Sequence, residues 1–245
     1  MIVSRFCRSL AGGLLVLASI GCSPDQNPSQ EEAVVEAEAT TNQLDSELRE
    51  SKLRLIEVAI AAHEFHDAMR RFPQSSESLP VDADPANSFS WRVRILPFLK
   101  HTLEDGTQVD YTSLYEQFHF DEPWDSPHNR EVARTVPEPY RYASVPDDKT
   151  VLMMVHGTGM MSDPNGEAHT TGDFQRTGTD GAVGWYLATE DRARVWTEPS
   201  DPIVEVASFA AMINSSQPLV VMGSGRVVEV DEALLQQLSE QLLLR

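Results

Sequence analysis

The sequence predicts an α+β fold: a long N-terminal helix packed on an antiparallel sheet, with irregular loop insertions and a C-terminal helix. Three observations carry that prediction. Between about Leu44 and Arg71 apolar residues recur every three or four positions, the second half holds apolar runs of strand length, and the chain ends in an amphipathic stretch. With 245 residues the chain is long enough for one sizeable core.

In the helical stretch Leu44, Leu48, Leu55, Ala59, Ala62, His66 and Met69 form a stripe, which Ile56, Ile60 and His63 widen to a full apolar face. A helix with such a face lies on a core. No Gly or Pro interrupts it before Pro73, which stops it. The following "QSSESLPVDADPANSF" is a turn-rich polar loop. "SWRVRILPFLKH" then alternates at first and is cut by Pro97, which fits a short strand or turn leading into one or two helical turns. "YTSLYEQFHFDEPWDSPHNREVARTVPEPY" reads as a short helix around Leu114 to Phe118, a proline-punctuated loop, and a second short helix from about His128 to Arg134. These are expected to cover a core rather than form its centre.

The sheet comes from "TVLMMVHG" at 150–157, "AVGWYLATE" at 182–190, and "PLVVMGSGRVVEV" at 218–230, a hairpin turning through Gly223 to Gly225. The Gly-, Thr- and Asp-rich stretch at 156–181 reads as a long mobile loop. In "DEALLQQLSEQLLLR" Asp231 is the expected N-cap, with Leu234, Leu235, Leu238 and Leu242 on one face.

The N-terminal region reads differently. "MIVSRFCRSLAGGLLVLASIGC" places Arg5 and Arg8 before an apolar stretch and small residues, the architecture of an export signal. Its end, "LASIGC", is similar to a lipobox in which Cys22 takes diacylglycerol and becomes the new N-terminus; Ser19 stands where the pattern prefers Leu, and the alternatives are a plain secretory signal and an uncleaved anchor. The expected division is residues 1–21 as a lipoprotein-type signal, 22–43 as an acidic flexible tether, and 44–245 as a single domain. Cys7 would leave with the signal and Cys22 would carry the lipid, so no disulfide and no thiol chemistry is expected.

Composition excludes some functions. With 19 basic against 38 acidic residues there is no basic surface for nucleic acid, whose binding needs cations that displace counterions. Loss of Arg5 and Arg8 with the signal would deepen the net charge from −19 to −21. The acidic body would be repelled by an anionic bilayer, so attachment to the membrane would rest on the acyl chains.

Candidate chemistry centres on "AAHEFHDAMRRFP", where His63, His66 and Asp67 share a helix end. Two His at this spacing can converge on a metal, but the better-known helical zinc arrangement spaces them by four with a Glu between. The remaining histidines, His101, His119, His128, His156 and His169, are scattered singly. The structural alternative makes His63 and His66 part of the buried face. "DPNGE" at 163–167 lacks the ligand ladder of an EF-hand, and the acids of "FDEPWD" are turn residues. No nucleophile elbow or phosphate-cradling glycine motif is present: Ser224 lies in the hairpin turn, and "GTG" at 157–159 has no third glycine and helix at the required spacing. Trp91, Trp124, Trp185 and Trp196 are expected to pack in the core rather than line a ligand surface.

Taken in order, "HEFHDAMRRFP", "SWRVRILPFL", "LYEQFHFDEPWDSPHN", "TDG" and "VWTEPSD" resemble a large, mostly planctomycete family of prepilin-like proteins, domain of unknown function 1559. The resemblance covers roughly residues 53–230 and rests on His63, His66, Asp67, Phe72, Pro73, Trp91, Pro97, Trp124, Asp125 and Trp196. It implies a pilin-like α+β head and no cofactor or activity. Two departures stand out. A lipobox-like signal and acidic tether replace the usual hydrophobic stem, and Gly223 falls where many members carry the Asp of a C-terminal His-x9-Asp-Gly motif.

The expected function is therefore that of an exported, membrane-tethered, non-enzymatic lipoprotein. Its partners would be the membrane, through lipid on Cys22, and an envelope protein. The alternative is a metal-dependent envelope enzyme or binding protein using the His63, His66 and Asp67 face.

Overall fold

The computed structural model describes residues 30–74, 89–142, 145–156, 161, 170–172, 183–199, 201–231 and 233–234. The residues expected as an export signal, Cys22, most of the 156–181 stretch and all but Ala233 and Leu234 of the expected C-terminal helix lie outside the described residues. Two compact units divide at Asn42. Among the described residues no helix is long and apolar enough to cross a membrane.

Helix α1 runs from Gln30 to Met69. It begins well before Leu44, so residues 30–43, expected as part of a flexible tether, are helical. The cause is local: seven of the nine residues of "EEAVVEAEA" are Ala or Glu, both strong helix formers. In the second unit the helix buries Leu55, Val58, Ala59, Ala61, Ala62 and Phe65. Ile56 and Ile60 do not join that face and stand 42% and 53% exposed, as do Leu44 and Met69 at 53% and 51%. For the two isoleucines the reason is the helical turn: at 100° per residue they point away from Val58 and Phe65, so one helix carries two apolar stripes. The helix stops through Arg70, which adopts a left-handed φ of 63° and donates its N–H to the His66 carbonyl at 2.6 Å.

A four-stranded antiparallel sheet forms the centre, from β4 (Leu152–Met154), β5 (Val183–Leu187), β7 (Leu219–Met222) and β8 (Val227–Glu229), in that order. Every residue of β4, β5 and β7 is buried because both faces of the sheet are covered. On β5, Trp185 meets Phe72 and Trp91 on one face while Tyr186 meets Phe209 on the other. The β7–β8 hairpin turns at Gly225, whose φ of 85° a side chain rarely adopts. Two small antiparallel pairs flank this sheet: β1 (Lys100–Thr102) with β2 (Gln108–Asp110), and β3 (Lys149–Thr150) with β6 (Arg194–Val195).

Between Ser51 and Glu57, helix α1 is fastened to the rest of the second unit. Ser51 donates to Gln217, Lys52 pairs with Glu229, Arg54 bonds the Arg141 carbonyl and Glu138, and Glu57 accepts from the Thr102 N–H and faces His101 Nδ1 at 2.9 Å. Asp231 accepts from the Leu234 N–H at 2.8 Å, the expected cap of the C-terminal helix.

Of the short strand or turn expected to lead into one or two helical turns, the segment takes the turn, passing at once into helix α2 (Trp91–Arg94). Ser90 caps it, accepting from the Arg92 N–H, and Pro97 sits inside a following single 3-10 turn, Leu96–Phe98. Its apparent alternation misleads because Trp91, Arg92, Val93 and Arg94 are all buried. Short helices α3 (Thr112–Tyr115) and α4 (Pro127–Val132) lie near the expected positions. The segments that follow them bury Phe118, Val136 and Tyr140 nearly or wholly, and Trp196 packs against Phe118 and Tyr140.

Candidate functional site

At the end of α1 the rings of His63 and His66 both pack on Phe72, at centroid distances of 5.2 and 4.8 Å. Phe72 is fully buried and passes the contact on to Trp185, 6.0 Å away. Pro73 follows it into the core. His66 is 8% exposed, and its two nitrogens are both used. Nε2 accepts from the Thr171 N–H at 3.2 Å, which leaves the proton of a neutral ring on Nδ1, 3.3 Å from Asp67 Oδ1. Asp67 itself is 84% exposed and so lies on the outside of this joint.

His63 has a different environment. Its Nε2 is buried without a hydrogen bond and faces the β7–β8 turn, where a Cβ added to Gly225 would come within 3.2 Å of it. Burial, and then the neighbouring His66, push its pKa below the ordinary histidine value, against weaker upward pulls from Asp67 and the Gly223 carbonyl. The helix end thus brings His63, His66 and Phe72 together but turns Asp67 outward. Among the described residues no group of three or more His, Cys, Asp and Glu is placed to hold a metal ion.

The densest polar arrangement lies elsewhere, at the free edge of β4. Val151 and Val155 bond to β5 through the Ala188 N–H and the Gly184 carbonyl, so the Leu152 carbonyl and Met154 N–H point away from the sheet. Among the described residues no strand pairs with them there. Arg92 donates to the Leu152 carbonyl through Nε and Nη2, and Asp201 Oδ2 accepts from the Met154 N–H at 2.7 Å. The two side chains close on each other, Nη2 to Oδ1 at 2.7 Å, with 0% and 2% side-chain exposure. Trp91 Nε1 donates to the same carboxylate at 2.8 Å, and the guanidinium lies 4.8 Å from the Trp91 ring. This buried ion pair satisfies a sheet edge that would otherwise be left with unpaired backbone groups.

Further buried hydrogen bonds lie around this joint. Tyr140 donates its hydroxyl to the Arg92 carbonyl at 2.9 Å, Trp196 Nε1 donates to the Ala133 carbonyl at 2.7 Å, and the Ser90 N–H bonds the Thr197 carbonyl. Trp91, Trp185 and Trp196 are fully buried, as expected, while Trp124 is partly buried against the core. Asp125 pairs with Arg130 at the surface. Sequence reasoning missed Arg92 and Asp201, although both lie inside the quoted segments "SWRVRILPFL" and "VWTEPSD". The available signal was a pair of arginines, Arg92 (next to Trp91) and Arg94, set in a mainly apolar run.

A third feature is at the surface. His119 and His128 stack at 3.6 Å with nearly parallel rings, His119 Nδ1 facing Glu122 and His128 Nε2 facing the Gln117 carbonyl. Hydrogen bonds from Ser126 first, then His119, hold the Glu122 carboxyl below its ordinary pKa. Helix α1 and the β1–β2 hairpin also enclose a groove of about 950 Å³, lined by Leu53, Ile56, Glu57, His101, Leu103 and Tyr111 among others.

No curated protein and no solved structure matches this chain. Residues 50–203, which contain α1 from its middle, the α2 segment, the β4 edge and Asp201, match the family described as "Protein of unknown function (DUF1559)". That match spans more than half of the chain, and the chain belongs to this family.

Proposed function

We propose that the protein is an exported, lipid-anchored, non-enzymatic envelope protein whose family-defining residues serve to hold its head together. The observation that carries this reading is the β4 edge: Trp91, Arg92 and Asp201 are 0–5% exposed and bonded to one another and to backbone. Groups so enclosed have no face left for a substrate. At the helix end, His66 likewise has each nitrogen engaged within the chain. The anchoring half of the proposal rests on the sequence of residues 1–22, with Cys22 as lipid acceptor, and on a net charge of −19 that opposes adsorption to an anionic surface.

The test is metabolic labelling with a fatty-acid analogue. The full chain is expected to incorporate label and fractionate with membranes, and Cys22→Ala to lose both. Labelling retained in Cys22→Ala would reject the anchor. Metal analysis of the purified chain tests the non-enzymatic half, with no stoichiometric zinc expected; one equivalent that disappears in His66→Ala would replace this reading with a metal-dependent one.

A further inference from the structure

The outward stripe of α1 is left largely uncovered by the described residues of the head. Leu53, Ile56 and Ile60, spaced by three and four, are 54%, 42% and 53% exposed on the face opposite Val58 and Phe65. Leu103, 42% exposed, stands beside them across the groove. A single exposed aliphatic residue is ordinary, but a contiguous row on one helix face marks an interaction surface.

We propose that this stripe binds the same stripe of a second copy, with the two α1 helices antiparallel about a two-fold axis between Ile56 and Glu57. That register sets Leu53 of each copy opposite Ile60 of the other and Arg49 opposite Glu64, so apolar side chains meet apolar ones and each end closes on an ion pair. Arg49 and Glu64 are both exposed and available for this. Shifting the register by one turn toward the N-terminus sets Arg49 against Ile60 and Asp45 against Glu64. A parallel pair sets Arg49 against Arg49. Glu57 lies next to the axis without creating a like-charge clash there, because its carboxylate is turned to the hairpin, accepting from the Thr102 N–H and facing His101. The stripe is therefore complementary to itself in charge as well as in polarity, which selects a second copy over an unrelated partner. One helix face against another is a small contact, so the dimer belongs to the weak, reversible class.

Sedimentation equilibrium of the full chain in mild nonionic detergent, from about 1 to 200 μM, is expected to show a monomer–dimer equilibrium. Ile56→Asp, at the centre of the contact, raises the dissociation constant about a hundredfold or more. Its thermal transition stays unchanged because the side chain faces away from the core. Arg49→Glu and Glu64→Arg each weaken the dimer about tenfold, and the two together restore it. Monomer throughout the concentration range overturns the proposal, as does a dimer indifferent to Ile56→Asp. A double swap no better than either single swap overturns the antiparallel register.

Discussion

Two joints in this molecule use ionisable side chains, and they differ in their access to water. At the β4 edge one carboxylate, Asp201, accepts from Trp91 Nε1, Arg92 Nη2 and the Met154 N–H, all out of solvent. At the end of α1, His66 bridges the Thr171 N–H and the outward-facing Asp67, while His63 keeps one nitrogen without a hydrogen bond. The first joint replaces water group for group, because a buried polar atom left unmatched costs its full desolvation. The second packs mainly through rings and needs its polar bonds less. The residues that look most like chemistry in the sequence are thus the less demanding ones structurally.

The contrast is broken most sharply at Asp201. Asp201→Ala leaves a buried guanidinium uncompensated and removes the acceptor for two further donors, so about 3–5 kcal/mol of stability is expected to disappear in chemical denaturation. A buried ion pair can often be exchanged for apolar side chains with little loss. Here the double replacement Arg92→Met with Asp201→Leu is expected to recover little, since Trp91 Nε1, the Met154 N–H and the Leu152 carbonyl would all lose their partners. Full recovery in the double variant would show that the edge does not depend on the pair.

A smaller effect is expected at Gly225, where the β7–β8 turn presses on His63. Gly225→Ala meets both a φ of 85° and a contact of 3.2 Å to the imidazole. The expected loss is about 1–2 kcal/mol, from a left-handed backbone that favours glycine together with the displaced ring. His63→Ala in the same background would relieve the contact but not the backbone strain, and so return only part of it. A Gly225→Ala variant as stable as the parent would mean that the turn and the helix end are not in close contact.

How far these joints can be read from the sequence depends on the kind of signal each gives. The strands at 152–154, 183–187, 219–222 and 227–229 announce themselves as apolar runs with a glycine turn, and they form where expected. The ring cluster around Phe72 is legible too, because Pro73 and the end of periodicity mark where the helix must meet the core. The two-sidedness of α1 is harder, since counting apolar residues at three and four merges stripes that the 100° turn separates. Arg92 hides for another reason. Arginine at alternating spacing suggests a solvent-facing side of a strand, and only the fold brings the unpaired Leu152 carbonyl and Asp201, 109 positions away, to meet it.

The smallest effect concerns the pH dependence of the helix end. Burial and the nearby His66 depress the pKa of His63 in the folded chain, while in the unfolded chain it titrates near the ordinary value of about 6.5. On acidification the unfolded chain therefore takes up this proton first. Stability from the neutral, packed ring is complete above about pH 6.5 and is lost as pH falls through the lower folded value. Because the ring is only half-buried, solvent screening keeps the loss below about 1 kcal/mol. Denaturation midpoints from pH 7.5 down to 5 are expected to fall more steeply for the parent chain than for His63→Gln, which has no such proton to bind. Parallel curves would show that the imidazole gains as much from Asp67 and the Gly223 carbonyl as it loses by burial, and the helix end would then resemble the β4 edge in balancing its charge locally.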